Sequence, residues 1–365
     1  MKCRFFSWAL FVAVFVASGQ ERTPEALFKR WDRNNDGKLV PDELPANAKP
    51  NFRRVDTNKD GVISLAEHTA FLTGRPAPRA PQGVKVLRDL PYAGTANPRQ
   101  TLDLILPEKR ATEKPLPLVV WIHGGGWRNG DKRSGLNRVA PLAASGRYVG
   151  GSIGYRLSGE AQWPAQIHDC KAAIRWLRAH AKEYGIDPNR IAVWGSSAGG
   201  HLVSMLGTSG GVKELEGKLG KHGDQSSRVQ AVVNYYGPSA LLLMNSKPSR
   251  IDHDAPDSPE SKLIGVPIQK AKAKTRQASP LTHATKDDAP HLHVHGTDDP
   301  LVPFHQSEIL HAALKKAGVE STLITVQKGE HRAPRPVDAK QVRAFLERHL
   351  HGRGKRLPDE TVSAD

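Results

Sequence analysis

The chain has 365 residues, of which 38% are hydrophobic, and this composition excludes a disordered or fibrous protein. Its formal net charge is +16, a balance that favours acidic partners such as an anionic glycan or a charged surface. The basic residues are scattered along the whole chain, with no aromatic RNA-binding motif and no arginine-rich arm, so we expect no specific nucleic-acid binding.

The N-terminus has the pattern of a secretory signal peptide, which we assign to residues 1–19. Lys2 and Arg4 provide the basic start, residues 5–17 are apolar apart from one serine, and small residues precede Gly19. The apolar run is shorter than the roughly 20 residues needed to span a bilayer. We therefore expect cleavage after Gly19, no transmembrane span in the mature chain, and a secreted or periplasmic location; an uncleaved membrane anchor is the alternative.

Two twelve-residue segments, 32–43 and 56–67, have the pattern of the EF-hand calcium loop. Each carries oxygen-bearing side chains at positions 1, 3 and 5, glycine at position 6 and glutamate at position 12. With the position-7 carbonyl and the position-9 serine added, the predicted ligands are Asp32, Asn34, Asp36, Lys38 and Glu43 in the first loop and Asp56, Asn58, Asp60, Val62, Ser64 and Glu67 in the second.

The whole region 20–74 resembles a compact bacterial EF-hand pair, which implies two bound Ca²⁺ ions. The apolar residues at position 8 of the loops, Leu39 and Ile63, predict a short β bridge between them. A pair of solvated acidic turns without an ion is the alternative. A structural or docking role for calcium is favoured over signalling, because an extracellular supply suffices for weak sites.

Residues 75–82 are proline-rich, which predicts an extended spacer before a second domain. In that domain, 83–352, apolar runs alternate with helical stretches, and a polar tail occupies 353–365. Strands are expected at 102–106, 118–122, 148–155, 190–194, 229–235, 291–295 and 322–326, and helices at 163–184, 201–206, 304–317 and 337–350. This alternation predicts an α/β fold, a mostly parallel sheet with helices on both faces.

The central motif of this domain is Gly195-Ser196-Ser197-Ala198-Gly199, between a buried strand and a helix. That context is typical of a nucleophile elbow, in which a strained turn holds a serine clear of the sheet. The helix N-terminus favours negative charge next to the serine. We therefore expect Ser197 to be a catalytic nucleophile; a plain glycine-rich turn is the alternative.

A second motif, Trp121-Ile-His-Gly-Gly-Gly-Trp127, directly follows a predicted strand. Together with the elbow, it resembles the bacterial esterase and lipase branch of the α/β-hydrolases, whose members carry a His-Gly-Gly-Gly-Trp loop. The resemblance implies that Gly125, Gly126 and Ala198 donate backbone N–H groups to the oxyanion of a tetrahedral intermediate. It also implies that His123 is structural.

The same resemblance supplies the remaining members of a Ser-His-Asp triad. Residues 295–303 match the family pattern His-Gly-x-x-Asp-x-x-Val-Pro, in which Asp299 has the acid position and Asp298 is the competing choice. His331 follows the last strand, where the family has its catalytic histidine. The chain order Ser197, Asp299, His331 is the α/β-hydrolase order.

Three histidines, His291, His293 and His295, alternate along one predicted strand. Alternating residues of a strand share a face, so these side chains either pack in the core or form a metal site.

The stretch from Tyr92 to His351 resembles secreted esterases related to feruloyl and acetyl-xylan esterases, on the segments Asn97–Leu104, Ile153–Ser158, Trp163–Gln166 and Tyr184–Ile191. This implies a serine carboxylesterase that forms an acyl-enzyme on small acyl esters or polysaccharide-linked acetyl or feruloyl esters, without a cofactor for the chemistry. Two alternatives stay open: a serine peptidase of the prolyl-oligopeptidase kind, and a calcium-dependent binding protein with an idle hydrolase domain.

Overall fold

The computed structural model describes residues 24–46, 48–58, 60–73, 81–332 and 337–364. The predicted signal peptide and most of the predicted spacer lie outside these ranges. The chain divides into two compact units, with the division between Ala80 and Pro81. No helix within the described ranges is both long and apolar enough to cross a membrane.

The first unit is a small helical module that contains a two-stranded antiparallel ribbon. Its elements are α1 (Pro24–Trp31), β1 (Lys38–Leu39), α2 (Phe52–Val55), β2 (Ile63–Ser64) and α3 (Leu65–Thr73). Leu39 pairs with Ile63 in the ribbon, as predicted, so the two candidate calcium loops lie side by side. Both side chains are buried with Phe28, Leu44 and Val55, and this apolar cluster joins the loops to the helices.

The second unit contains a nine-stranded sheet. Its strands are β3 (Val84–Pro91), β4 (Thr101–Pro107), β5 (Leu116–Ile122), β6 (Val149–Ile153), β7 (Ile186–Ser196), β8 (Ala231–Tyr235), β9 (His291–Gly296), β10 (Ser321–Gln327) and β11 (Glu360–Ser363). Its α-helices are α4 (Leu136–Ala144), α5 (Ala165–Ala179), α6 (Ala181–Tyr184), α7 (Ala198–Thr208), α8 (Lys213–Glu216), α9 (Pro259–Ile264), α10 (Lys272–Gln277), α11 (His305–Lys316) and α12 (Val337–His351).

The strand order is β11-β10-β9-β8-β7-β5-β6-β4-β3, and all neighbours are parallel except the pairs β6–β4 and β4–β3. The interior strand β5 is buried along its whole length, which is typical of a parallel strand covered on both faces. Leu118, Val120 and Ile122 enter one apolar cluster with α5 and α7. Val119 and Trp121 enter a second cluster with α4 and α12. The predicted α/β-hydrolase fold, with helices on both faces, is confirmed.

Two features differ from the predicted boundaries. The helix expected over 163–184 is two helices, α5 and α6, because the backbone leaves the helical conformation at His180. Residues 353–365, assigned to a polar tail, contain β11, which pairs in parallel with β10 at the sheet edge. The catalytic unit therefore extends past residue 352. A short polar strand at an edge has no run of apolar residues to reveal it.

Candidate active site

Ser197 lies at a sharp turn between β7 and α7, in a backbone conformation of φ 55° and ψ −123° that L-residues rarely adopt. Such a conformation costs on the order of 1–3 kcal/mol and persists only where the surroundings enforce it. Here the Ser197 N–H donates to the Tyr235 carbonyl at 2.9 Å. The flanking glycines are also required, since a Cβ on Gly195 would lie 2.4 Å from the Gly199 carbonyl oxygen, and one on Gly199 would lie 2.1 Å from the Ile122 carbonyl oxygen.

His331 and Asp299 form a hydrogen-bonded pair, in which His331 Nδ1 lies 2.7 Å from Asp299 Oδ2. The Asp299 side chain is fully buried, whereas His331 is partly exposed. Because a carboxylate can only accept, Nδ1 carries the proton and Nε2 is left as the proton acceptor. Asp298, the competing choice for the acid, is exposed and its carboxylate accepts from the neighbouring Thr297 hydroxyl. The structure therefore pairs Asp299 with His331.

The carboxylate of Asp299 is held by four donors. Its Oδ1 accepts from the N–H groups of Leu301 and Val302, at 2.8 and 2.9 Å. Its Oδ2 accepts from His331 and from a second histidine, His295, whose Nε2 lies 3.1 Å away. Burial acts to raise the pKa of Asp299, but the hydrogen bonds from His295 and His331 outweigh it and hold the pKa well below its ordinary value. Asp299 is thus a permanent anion beside His331.

His295 is fixed by three contacts and was not assigned to the site from the sequence. Its Nε2 lies 2.9 Å from the Val302 carbonyl as well as near Asp299, and both of these groups accept, so Nε2 carries a proton. Its Nδ1 lies 2.8 Å from the Ser307 hydroxyl, which donates to it. The neutral tautomer therefore satisfies every contact, and His295 orients the triad acid.

The loops that carry Asp299 and His331 are joined by backbone hydrogen bonds. The N–H of Thr297 donates to the Val326 carbonyl, and that of Asp298 donates to the Gly329 carbonyl, both at 2.9 Å. Gly296 permits this approach, because a Cβ there would lie 2.1 Å from the Gly329 carbonyl oxygen. The close pairing of the two loops explains why the acid and the histidine meet although 32 residues separate them.

The glycine loop after β5 lies directly against the elbow. A Cβ on Gly124 would come within 2.7 Å of the Ser196 carbonyl oxygen, and Gly125 and Gly126 have positive φ values of 108° and 58°. In the described part of the chain, the backbone N–H groups of Gly125, Gly126 and Ala198 donate to no other group. Unused N–H groups beside a nucleophile are what an oxyanion requires.

Two buried histidines support this loop. The ring of His123 stacks on Tyr155 at 4.3 Å and its Nδ1 donates to the Gly124 carbonyl at 2.8 Å. The second, His201, donates from Nε2 to the Ala278 carbonyl and accepts from the indole N–H of Trp127 at 3.2 Å. Burial lowers the pKa of each histidine to about 4, so both are neutral and act in packing. The structural role expected of His123 agrees with this geometry.

A cavity of about 390 Å³ contains the reacting groups. Ser197 and His331 both line it, as do the oxyanion glycines and Ala198. Tyr236 covers His331, with its ring 4.5 Å from the imidazole. The opposite wall comes from the segment between β8 and β9, including Ile251, His253, Pro259 and Glu260. The candidate site is therefore a pocket bounded by Ser197, His331, the glycine loop and residues 251–260, which we call the 251–260 wall.

The alternating histidines of β9 pack inside the protein. His291, His293 and His295 are all fully buried, and the rings of the first two stack at 5.5 Å. Burial lowers the pKa of His291 to about 4 and that of His293 further. No group of three or more His, Cys, Asp or Glu side chains within the described ranges is placed to hold a metal. Packing is the interpretation that fits, with His295 also in contact with Asp299.

The two candidate calcium loops fold around their last glutamate. Glu67 accepts from the backbone N–H groups of Thr57, Asn58 and Ser64, and Glu43 accepts in the same way from Arg33, Asn34 and Val40. In the first loop, further hydrogen bonds link positions 1, 3 and 5, which are Asp32, Asn34 and Asp36. In the second loop, Asn58 and Asp60 are linked to each other, and Asp56 accepts from the Gly61 N–H. Lys38 and Val62, at position 7, donate to the position-5 carboxylates.

One atom of the second loop is left without a partner: Asp56 Oδ1 is buried and has no hydrogen bond within the described residues. A buried carboxylate oxygen without a donor is unfavourable, and a cation would satisfy it. An EF-hand shell also uses amide, hydroxyl and backbone oxygens, which Asn58, Ser64 and Val62 would add. The donor types of this loop therefore fit a calcium ion, although its described carboxylates do not form a group of three placed to hold one.

Comparison with known proteins gives two family matches. The BD-FAE family model matches residues 102–314, and an EF-hand model matches residues 51–70, which include the second loop. The esterase LipC of Mycobacterium tuberculosis is 33% identical over 221 residues, covering 58% of this chain and 51% of LipC. The esterase LipQ of the same organism is 27% identical, covering 78% of this chain and 66% of LipQ. The chain thus spans about half to two thirds of these relatives.

Two solved structures have the same fold. A truncated carbohydrate esterase from gut microbiota is 32% identical with a TM-score of 0.62, covering 68% of this chain and 89% of that one. An esterase of Thermogutta terrifontis with bound propionate is 27% identical with a TM-score of 0.57, covering 74% of this chain and 93% of that one.

Proposed function

This chain belongs to the BD-FAE family of α/β-hydrolases, and from that premise we propose that it is a serine carboxylesterase that cleaves carboxylic esters through an acyl-enzyme on Ser197. The observation that carries the proposal is the buried Asp299 carboxylate paired with His331 in the cavity that Ser197 lines. That arrangement combines a nucleophile, a base and an acid in their usual roles.

In the first half of the reaction, His331 Nε2 takes the proton from Ser197 Oγ as this oxygen attacks the ester carbonyl carbon. The carbonyl oxygen becomes negative and is stabilised by the N–H groups of Gly125, Gly126 and Ala198. The proton on His331 passes to the leaving alcohol as the ester C–O bond breaks. In the second half, His331 takes a proton from water as the water oxygen attacks the acyl carbon. The acyl C–O bond to Ser197 then breaks, His331 returns the proton to Ser197 Oγ, and the acid is released.

Asp299 keeps its charge through this cycle and stabilises the imidazolium that forms on His331. Its four hydrogen bonds hold the carboxylate in one orientation, so the Nδ1 proton of His331 is also held. No step requires a cofactor.

The test is hydrolysis of p-nitrophenyl acetate, butyrate and octanoate by the whole chain and by Ser197→Ala. We expect turnover by the parent protein and a loss of about 10⁶-fold in kcat in the variant, the size found when a triad serine is removed. Equal activity of the two proteins would overturn the proposal. Turnover of peptides but of none of the esters would favour the peptidase alternative.

We also propose small acyl esters or polysaccharide-linked acetyl or feruloyl esters as substrates. Support comes from the carbohydrate esterase among the similar structures and from a cavity of moderate volume. Hydrolysis of acetylated and feruloylated xylan, with release of acetate or ferulate measured directly, would test this choice.

Finally, we propose that the first unit binds Ca²⁺ and that the protein is exported, where calcium is abundant. Asp56, Asn58, Asp60, Ser64 and Glu67 would hold the ion in the second loop, with the Val62 carbonyl. When bound, calcium would neutralise the carboxylates and order the loop. The support is the EF-hand match and the unpartnered oxygen of Asp56; export rests on the pattern of residues 1–19.

A further inference from the structure

The 251–260 wall places a carboxylate inside the catalytic cavity. Glu260 is 2% exposed and its neighbour His253 is 1% exposed, yet both line the cavity that holds Ser197 and His331. Neither residue belongs to the triad or to the oxyanion loop. A buried ionisable pair in a cleft is a candidate for a functional role, because burial of a charge is costly.

The protein does not meet the hydrogen-bonding capacity of Glu260. Its Oε2 lies 2.9 Å from His253 Nδ1, but the two groups are not aligned for a hydrogen bond and Oε2 has no donor within the described residues. No lysine or arginine in those residues lies within ion-pair distance of this carboxylate. Asp299, at a similar depth, receives four donors.

Pro259, the residue before Glu260, lies next to the glycine loop of the candidate site. A Cβ built on Gly126 would contact the Pro259 ring at 3.4 Å, so the start of α9 lies against the oxyanion loop. The wall is held in place by its own contacts: the Ser258 hydroxyl donates to the His253 carbonyl at 2.8 Å and accepts from the Ser261 N–H at 3.0 Å. A substrate whose ester carbonyl lies at Gly126 therefore occupies the cavity that Glu260 also lines.

We propose that Glu260, supported by His253, accepts a hydrogen bond from a hydroxyl group next to the ester on the alcohol part of the substrate. The inference rests on the esterase function proposed above and names a specificity residue for it. The exposed Arg128 lines the same cavity. This cation, and the net charge of +16, favour a neutral hydroxyl donor over a cationic ligand.

The experiment compares two acetate esters, 2-hydroxyethyl acetate and 2-methoxyethyl acetate, which differ by one methyl group on the terminal oxygen. That methyl group removes the hydrogen-bond donor and adds a small volume, and comparison with Glu260→Leu separates the two effects. For the parent protein we expect kcat/KM to be about 10- to 100-fold higher on the hydroxy ester, the range for a hydrogen bond to a charged group. The ratio is measured within one protein, so changes in overall rate cancel.

Glu260→Leu is expected to bring the ratio close to one, and Glu260→Gln, which keeps the size and an acceptor oxygen, to an intermediate value. Asp257→Asn is the matched control, since Asp257 is an exposed carboxylate of the same segment, and it is expected to keep the parent ratio. Thermal unfolding of each variant shows whether it is folded. The ratio of kcat/KM on the two esters in the parent protein tests the proposal without any variant.

Three results would overturn the proposal. The first is equal kcat/KM of the parent protein on the two esters. The second is a Glu260→Leu variant that still prefers the hydroxy ester. The third is a preference of the parent protein for a cationic ester such as choline acetate that Glu260→Gln abolishes. In each case ester hydrolysis itself stands. Absence of hydrolysis of every ester would instead refute the proposed esterase function.

Discussion

Replacing Asp299 by asparagine tests the role of the triad acid, because the structure specifies which hydrogen bonds the amide can keep. Asparagine has one acceptor oxygen. If that oxygen stays with the N–H groups of Leu301 and Val302, the amide NH₂ faces His331 and His295, which are both donors in the native protein. His331 must then accept at Nδ1 and carry its proton on Nε2, the atom that should accept from Ser197.

The wrong tautomer of His331 is expected to lower kcat by about 10⁴-fold, as in other Ser-His-Asp enzymes. That loss corresponds to about 5.4 kcal/mol in the barrier, at about 1.36 kcal/mol per tenfold change. The nucleophile Ser197 is kept in this variant, so residual activity should still exceed that of Ser197→Ala. The assay is the initial rate of p-nitrophenyl acetate hydrolysis under saturating substrate at neutral pH.

Asp298→Asn is the matched control. Asp298 is exposed, its N–H bond to the Gly329 carbonyl is kept by asparagine, and its carboxylate accepts from the adjacent Thr297 hydroxyl. We expect its kcat to stay within about threefold of the parent, a change of less than 1 kcal/mol. A large loss in Asp298→Asn with near-parent activity in Asp299→Asn would refute the assignment of the acid.

Three further predictions follow from other parts of the structure. Gly125→Ala should lower kcat by about 10²–10³-fold, because the new Cβ would lie 2.3 Å from the Asn129 carbonyl oxygen. Gly159→Ala is the control and should keep the parent kcat, because Gly159 has open space around it. Equal rates of the two variants would exclude Gly125 from the oxyanion site. Glu67→Gln should abolish calcium binding at the second loop in titration calorimetry while ester hydrolysis persists, and unchanged binding would contradict the ligand set. Folding lowers the pKa of Asp299, so its contribution to the free energy of unfolding is present above pH 3.8, the ordinary pKa, and is lost as the pH falls below it. In Asp299→Asn, the free energy of unfolding should therefore change less with pH in the acid range. Identical pH profiles of the two proteins would refute the lowered pKa.

Much of the site could be predicted because its signals are local. The elbow around Ser197 and the glycine loop each need glycines at fixed spacing, and the structure shows that a Cβ at Gly195 or Gly124 would meet backbone atoms. The choice of the triad acid depended on alignment with a family pattern, because residues 298 and 299 are both aspartates and local sequence does not distinguish them. Burial and the hydrogen bond to His331, both of which Asp299 has, distinguish the two in the structure.

The missed residues depend on contacts between distant segments. The role of His201 arises from its bonds to Trp127 and Ala278, which are 74 and 77 residues away in the chain. His295 and Asp299 are only four residues apart, but their contact depends on the path of the loop that follows β9. The location of Glu260 in the catalytic cavity depends on the path of the segment between β8 and β9, which sequence periodicity does not determine.

The most direct test of the account is covalent labelling of the nucleophile. The protein is treated with a fluorophosphonate, digested, and examined by peptide mass spectrometry, with Ser197→Ala and Asp299→Asn treated in parallel. We predict a single label on Ser197, slower labelling in Asp299→Asn, and no label on the peptide containing residue 197 in Ser197→Ala. A label on Ser196 or elsewhere, or esterase activity that survives complete labelling of Ser197, would contradict the account.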